Sequence, residues 1–81
     1  MIQTTLKIEG MMCHMCEAHV NEAIRNHFDV KKVQSSAKDK ETVIVSNEAL
    51  DEAEITAVIA ETGYELKGIE TKPYEKKGLF G

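Results

Sequence analysis

Tryptophan is absent from the 81 residues, and phenylalanine and tyrosine appear only twice each. A core assembled from this chain must therefore be mostly aliphatic. Basic charge is also scarce. Ten Lys and Arg stand against fourteen Asp and Glu, a formal net charge of −4, which argues against nucleic acid as a partner. No apolar run approaches the roughly eighteen residues of a membrane span. The opening Met1-Ile2-Gln3-Thr4-Thr5-Leu6-Lys7 lacks the basic region and long apolar stretch of a signal peptide. The expected setting is thus cytoplasmic, without membrane insertion. Thiols are kept reduced there, so the only two cysteines, Cys13 and Cys16, read as a metal or redox pair and not as a structural staple.

What is present suits one small domain. Hydrophobic residues make up 42% and charged residues 30%, the balance of a globular chain and not of a disordered one. Residues 2–9 alternate, with Ile2, Thr4, Leu6 and Ile8 on one side and Gln3, Thr5, Lys7 and Glu9 on the other. That is a half-buried strand, and Gly10 permits the turn that ends it.

From Cys16 onward the period becomes helical. Val20, Ala23, Ile24 and His27 share a face, with Asn21, Glu22, Arg25 and Asn26 outside. Phe28, Val30 and Val33 give a weaker strand signal before a polar turn over 35–40. Val43-Ile44-Val45 reads as a strand whose faces the sequence does not assign. Asp51 caps a second helix with Glu54 three positions on. Ile55, Val58, Ile59 and Thr62 form its inner face, and Gly63 stands where a left-handed terminator belongs. Tyr64, Leu66 and Ile69 suggest a last strand ending near Glu70.

The order strand, helix, strand, strand, helix, strand predicts an α+β fold: a ferredoxin-like βαββαβ sandwich, one four-stranded antiparallel sheet with both helices on one face. The expected domain covers residues 1–70. Residues 71–81, which hold the single proline (Pro73), Lys76 and Lys77, are expected to form a flexible C-terminal tail.

Chemistry concentrates in Gly10-Met11-Met12-Cys13-His14-Met15-Cys16. Thiolates at C-x-x-C spacing can converge on one ion, and they favour Cu(I), zinc and other soft metals over magnesium or calcium. A helix amino-terminus lowers a thiol pKa and favours the thiolate. Met11-x-Cys13-x-x-Cys16 after a glycine, between the first strand and first helix of such a chain, resembles the heavy-metal-associated domain family. That family includes bacterial copper chaperones and the metal-binding domains of copper-exporting P-type ATPases, and the similarity covers roughly residues 1–70.

The resemblance implies metal binding by Cys13 and Cys16, and a Met11 that packs beneath the loop without binding metal. It matches Gly63-Tyr64 to a Gly-aromatic pair near the loop, of the bacterial chaperone type. His14 is a candidate additional ligand, either within one chain or across a metal-bridged homodimer; otherwise it is simply solvated. Met12 and Met15 are soft thioethers better suited to partner contact than to ligation. His19 is expected at the surface, and His27 as a capping or partly buried residue.

The function this implies is that of a non-enzymatic cytosolic Cu(I) chaperone. It would bind one ion through the C-x-x-C loop and hand it by ligand exchange to a copper-transporting P-type ATPase metal-binding domain or a copper-responsive repressor. The protein itself is expected to be a monomer or a metal-bridged homodimer. Glu9, Glu17 and Glu22 outnumber Arg25 near the loop, so a neutral to basic partner face is expected. Ag(I) fits the same site. Met12 stands where zinc- and cadmium-binding members often carry an acid, which favours the softer ions over Zn(II) or Cd(II).

Two further readings stay open. One is a thiol-disulfide redox protein using Cys13 and Cys16, although thioredoxin-type sites carry a Trp and a Pro that this motif lacks. The other is a regulatory metal-binding module of a transporter; a chain that starts at Met1 and carries no membrane segment fits a free-standing protein better.

Overall fold

The computed structural model describes residues 1–12 and 14–74, so Cys13 and residues 75–81 lie outside the described residues. Strand β1 (Ile2–Glu9) leads to helix α1 (His14–His27), then to strands β2 (Lys32–Ser36) and β3 (Glu41–Ser46). Helix α2 (Glu52–Thr62) and strand β4 (Glu65–Pro73) complete the order. The strands form one antiparallel sheet, β2-β3-β1-β4, and both helices pack on the same face. This is the ferredoxin-like α+β arrangement that the order of elements implies.

The alternation in β1 decides which face of the sheet is covered. Thr4, Leu6 and Ile8 are buried, whereas Lys7 and Glu9 are exposed. The inner residues meet Val20 and Ile24 of α1, Ile55, Val58 and Ile59 of α2, and Ile44 of β3 in one aliphatic cluster. Each such side chain contributes about 1.5–3 kcal/mol on burial, so a few well-packed isoleucines and leucines replace the missing aromatics. Register resolves the Val43-Ile44-Val45 run. Ile44 lies opposite Thr4 on the core side, while Val43 and Val45 lie opposite Thr5 and Gln3 on the other face.

Helix α2 begins and ends as its sequence signals suggest. The Asp51 carboxylate accepts the backbone N–H groups of Ala53 and Glu54, a cap whose loss typically costs about 1 kcal/mol. Gly63 closes the helix in the left-handed region (φ 91°), its N–H donating to the Ala60 carbonyl. Helix α1 starts at His14, two positions before the expected onset at Cys16.

Strand β4 departs from the expected pattern in two ways. Leu66 and Ile69, three residues apart, both pack against the core, which a regular strand of period two would forbid. The register shift opposite Lys7/Ile8 explains it. Ile8 pairs with Leu66 and Lys7 with Gly68, leaving Lys67 as the extra residue of a bulge that restores the inward face for Ile69. The strand also runs beyond Glu70. Thr71, Lys72 and Pro73 pair with Thr4, Gln3 and Ile2, and the Tyr74 N–H donates to the Met1 carbonyl at 2.9 Å. Residues 71–73 are therefore sheet and not tail, and the rest of the expected tail, from 75, lies outside the described residues.

Candidate metal centre

The fold brings the end of β1, the start of α1 and the end of α2 to one end of the sheet. Gly10 turns the chain there with φ 111°, a conformation that L side chains resist. Tyr64 presses against the same glycine. A Cβ on Gly10 would sit 3.0 Å from Tyr64 Cδ1 and 3.7 Å from its Cα. The Gly63 terminator delivers Tyr64 to this position, so two glycines from distant parts of the chain set the base of the loop.

The methionines then divide. Met11 is 4% exposed and belongs to the core cluster, whereas Met12 and Met15 are 85% and 81% exposed. Met11 thus anchors the loop from beneath, and the other two surround it with apolar surface. Cys16 lies in the first turn of α1, partly buried and packed against the core. It lines a shallow groove with Met15, Ala18, His19, Glu22 and Tyr64. Cys13, the other expected ligand, lies outside the described residues.

His14 lines a different groove, with Met12, Glu17, Ala37 and Lys38. Its side chain is fully exposed, and its Nδ1 lies 3.1 Å from Glu17 Oε1. The second oxygen of that carboxylate, Oε2, accepts the Ala37 N–H at 2.6 Å. The Ala37 hydrogen bond, followed by the one from His14, holds the Glu17 carboxyl below the usual glutamate range. One helical turn on, the Ser35 hydroxyl donates to Asn21 Oδ1 at 2.6 Å. Glu17 and Asn21 together fasten α1 to β2 and to the turn that follows it. Of the acidic residues expected near the loop, Glu17 is thus held by hydrogen bonds and only partly exposed. Glu22 is exposed.

His19 is exposed and meets the Tyr64 ring edge to face, with centroids 6.2 Å apart. His27 is also exposed. Its Nδ1 contacts the Ala23 carbonyl at 2.9 Å, a C-terminal capping contact, and its Nε2 lies 4.0 Å from Glu61 Oε1. Among the described residues, no group of three or more His, Cys, Asp and Glu is placed to hold a metal ion. Sequence reasoning missed the role of Glu17. The i,i+3 spacing of His14 and Glu17 was the available signal; the Ala37 backbone contact, twenty positions away, had none.

Comparison with known proteins bears on what such a loop carries. Residues 5–65 match the heavy-metal-associated domain family model. The chain is 36% identical over 63 residues to copper chaperone CopZ of Enterococcus hirae, covering 76% of this chain and 91% of CopZ. Copper chaperone Atx1 of Synechocystis PCC6803 superposes with a TM-score of 0.67 at 30% identity, over 78% of this chain and 97% of that one. The N-terminal domain of ZntA in its Zn(II) form superposes with a TM-score of 0.72 at 24% identity, over 82% and 89%, a likeness of fold alone. With a family match across three-quarters of its length and a copper chaperone among its relatives, this chain belongs to the heavy-metal-associated domain family.

Proposed function

We propose that the protein is a cytoplasmic Cu(I) carrier that holds one ion between Cys13 and Cys16 and passes it to a partner with a similar pair of thiols. The observation that carries the reading is the setting of Cys16. It stands in the first turn of α1 over a loop anchored by buried Met11, with exposed Met12 and Met15 beside it. Soft sulfur donors suit Cu(I) and Ag(I) over harder ions. Among the described residues, no group of three or more carboxylates, imidazoles and thiols is placed to hold an ion.

Low coordination is what makes transfer possible. A thiolate of the partner can add to a two-coordinate ion to give a three-coordinate intermediate. One of the carrier's Cu–S bonds then breaks and leaves its thiolate behind. A second such exchange completes the transfer without release of free metal. Neither step requires a general acid or base. The 36% identity to a copper chaperone supports the same reading. A metal-binding domain of a copper-transporting P-type ATPase fits the role of partner, since it can offer paired thiols of its own. A copper-responsive repressor is a second acceptor of the same chemistry.

An anaerobic Cu(I) titration of the reduced protein tests this. It is run against a competing Cu(I) chelator with zinc in excess, and with the Cys13→Ser, Cys16→Ser double variant as control. One equivalent of Cu(I) held against zinc, and lost in the control, is the expected result. Ready displacement by zinc would transfer the assignment to a Zn(II) or Cd(II) carrier. No metal uptake, with reversible disulfide formation instead, would favour the redox reading.

A further inference from the structure

His14 immediately follows one proposed ligand and precedes the other by two positions, so an imidazole is tethered within the C-x-x-C segment itself. Whether it joins the ion decides between two-coordinate and three-coordinate copper. On α1, positions 14 and 16 are separated by about 200° of rotation. His14 accordingly lines the groove with Ala37 and Lys38, and Cys16 lines the groove with His19 and Tyr64.

The first residue of a helix is held less firmly than its interior, since its side chain has only one turn to pack against. Rotation alone would not keep a fully exposed ring in place. Glu17 supplies the restraint. Its Oε2 is fixed by the Ala37 N–H at 2.6 Å, and its Oε1 then stands 3.1 Å from His14 Nδ1. The carboxylate is only 21% exposed on its side chain, against a wholly exposed imidazole. The anchored partner of the pair is therefore Glu17, and it draws His14 toward the turn after β2.

We infer that Glu17 is a positioning residue that holds the His14 imidazole on the Ala37 side of α1 and so keeps the bound ion two-coordinate and quick to exchange. The inference rests on the Cu(I) carrier reading and adds to it a residue that sets the coordination number. A carboxylate only accepts, so the Nδ1–H donates to Glu17 in this arrangement, and in the neutral ring the lone pair then lies on Nε2. Once the tether is cut, that lone pair is free to add to the ion. The added Cu–N bond needs no oxidant and no further reactant.

X-ray absorption at the copper edge reads the ligand number and type directly. The samples are Cu(I)-loaded wild type, Glu17→Ala, Glu17→Gln, His14→Ala and the His14→Ala, Glu17→Ala double variant, with circular dichroism to confirm the fold of each. Wild type is expected to show two sulfur ligands. Glu17→Ala gains a nitrogen ligand and yields copper to a competing chelator about tenfold more slowly, equivalent to about 1.4 kcal/mol on the exchange barrier. Glu17→Gln keeps an acceptor for Ala37 but loses the charge, and is expected between the two.

Removing His14 as well should restore both the two-sulfur spectrum and the exchange rate. A purely structural role for Glu17 would not be repaired by deleting a second side chain. Nitrogen already bound in wild type, a Glu17→Ala spectrum that stays two-coordinate, or an added nitrogen that survives in the double variant would each overturn the inference while leaving copper carriage intact. A wild type that takes up no Cu(I) would overturn the carrier reading, and this one with it.

Discussion

Tyr64 crowds the space that a side chain on Gly10 would take: a Cβ there would lie 3.0 Å from its Cδ1. The residues are 54 positions apart, yet their contact joins the end of the first strand to the end of the second helix at the base of the metal loop. Gly10→Ala therefore meets two penalties, the clash and a φ of 111°. The expected loss is about 1–3 kcal/mol, read as a fall in the urea midpoint of the metal-free protein. Adding Tyr64→Ala should relieve the clash and not the backbone strain, so, measured against Tyr64→Ala alone, Gly10→Ala still costs part of that loss. No cost in that comparison would show that the backbone of Gly10 is unstrained.

Thr4 offers a substitution of opposite sign. It faces the core opposite Ile44 and Thr71, and its buried hydroxyl finds no hydrogen-bond partner among the described residues. A buried polar group without a partner is costly. Thr4→Val keeps the shape and removes the hydroxyl, and should raise stability by about 1–2 kcal/mol. A variant of equal or lower stability in urea denaturation would show that the hydroxyl is satisfied in solution.

These two positions differ in how far the sequence revealed them. The alternation of β1 placed Thr4 inward without help from the structure, and Asp51 and Gly63 announced the ends of α2. The closeness of Gly10 to Tyr64 was not legible, because periodicity reports which face a residue occupies and not what it meets. The bulge at Lys67 was equally hidden; Leu66 and Ile69 carried the clue as a spacing of three inside a strand. Thr71, Lys72 and Pro73 looked like tail because they open a stretch with the single proline, two adjacent lysines and two glycines, but an edge strand is held by its backbone, and a proline is tolerated there. Of the loop, the motif pointed to Cys13 and Cys16 as the proposed metal ligands, and the anchoring of Glu17 to a backbone N–H twenty residues on left no trace in composition.

That anchor has a pH signature in the metal-free protein. The Ala37 N–H and His14 depress the Glu17 carboxyl below its ordinary range in the folded state. A depressed carboxylate contributes stability above its unfolded pKa and loses it as pH falls through the folded one. Glu17→Gln should accordingly be less stable than wild type near neutrality, with the gap closing in the acid range between the ordinary glutamate value and the lowered one. Urea denaturation across that range checks it. A gap that is constant with pH would mean the carboxylate charge adds nothing to the anchor.

The exposed methionines separate binding from delivery. Met12, just before Cys13, is 85% exposed, and Met15, between the two cysteines, is 81% exposed; exposed apolar side chains grouped in this way are what a docking partner can cover. If a docking partner does so, Met12→Ser with Met15→Ser should leave Cu(I) affinity within about twofold of wild type. Transfer to the isolated metal-binding domain of a copper-transporting P-type ATPase should slow about tenfold, the loss expected when a central apolar contact of roughly 1.4 kcal/mol is removed. Stopped-flow transfer and chelator competition measure the two quantities apart. The opposite pattern, weaker binding with unchanged transfer, would make the methionines ligands of the ion and not contacts for the partner, and the loop would then hold copper through more than its two thiolates.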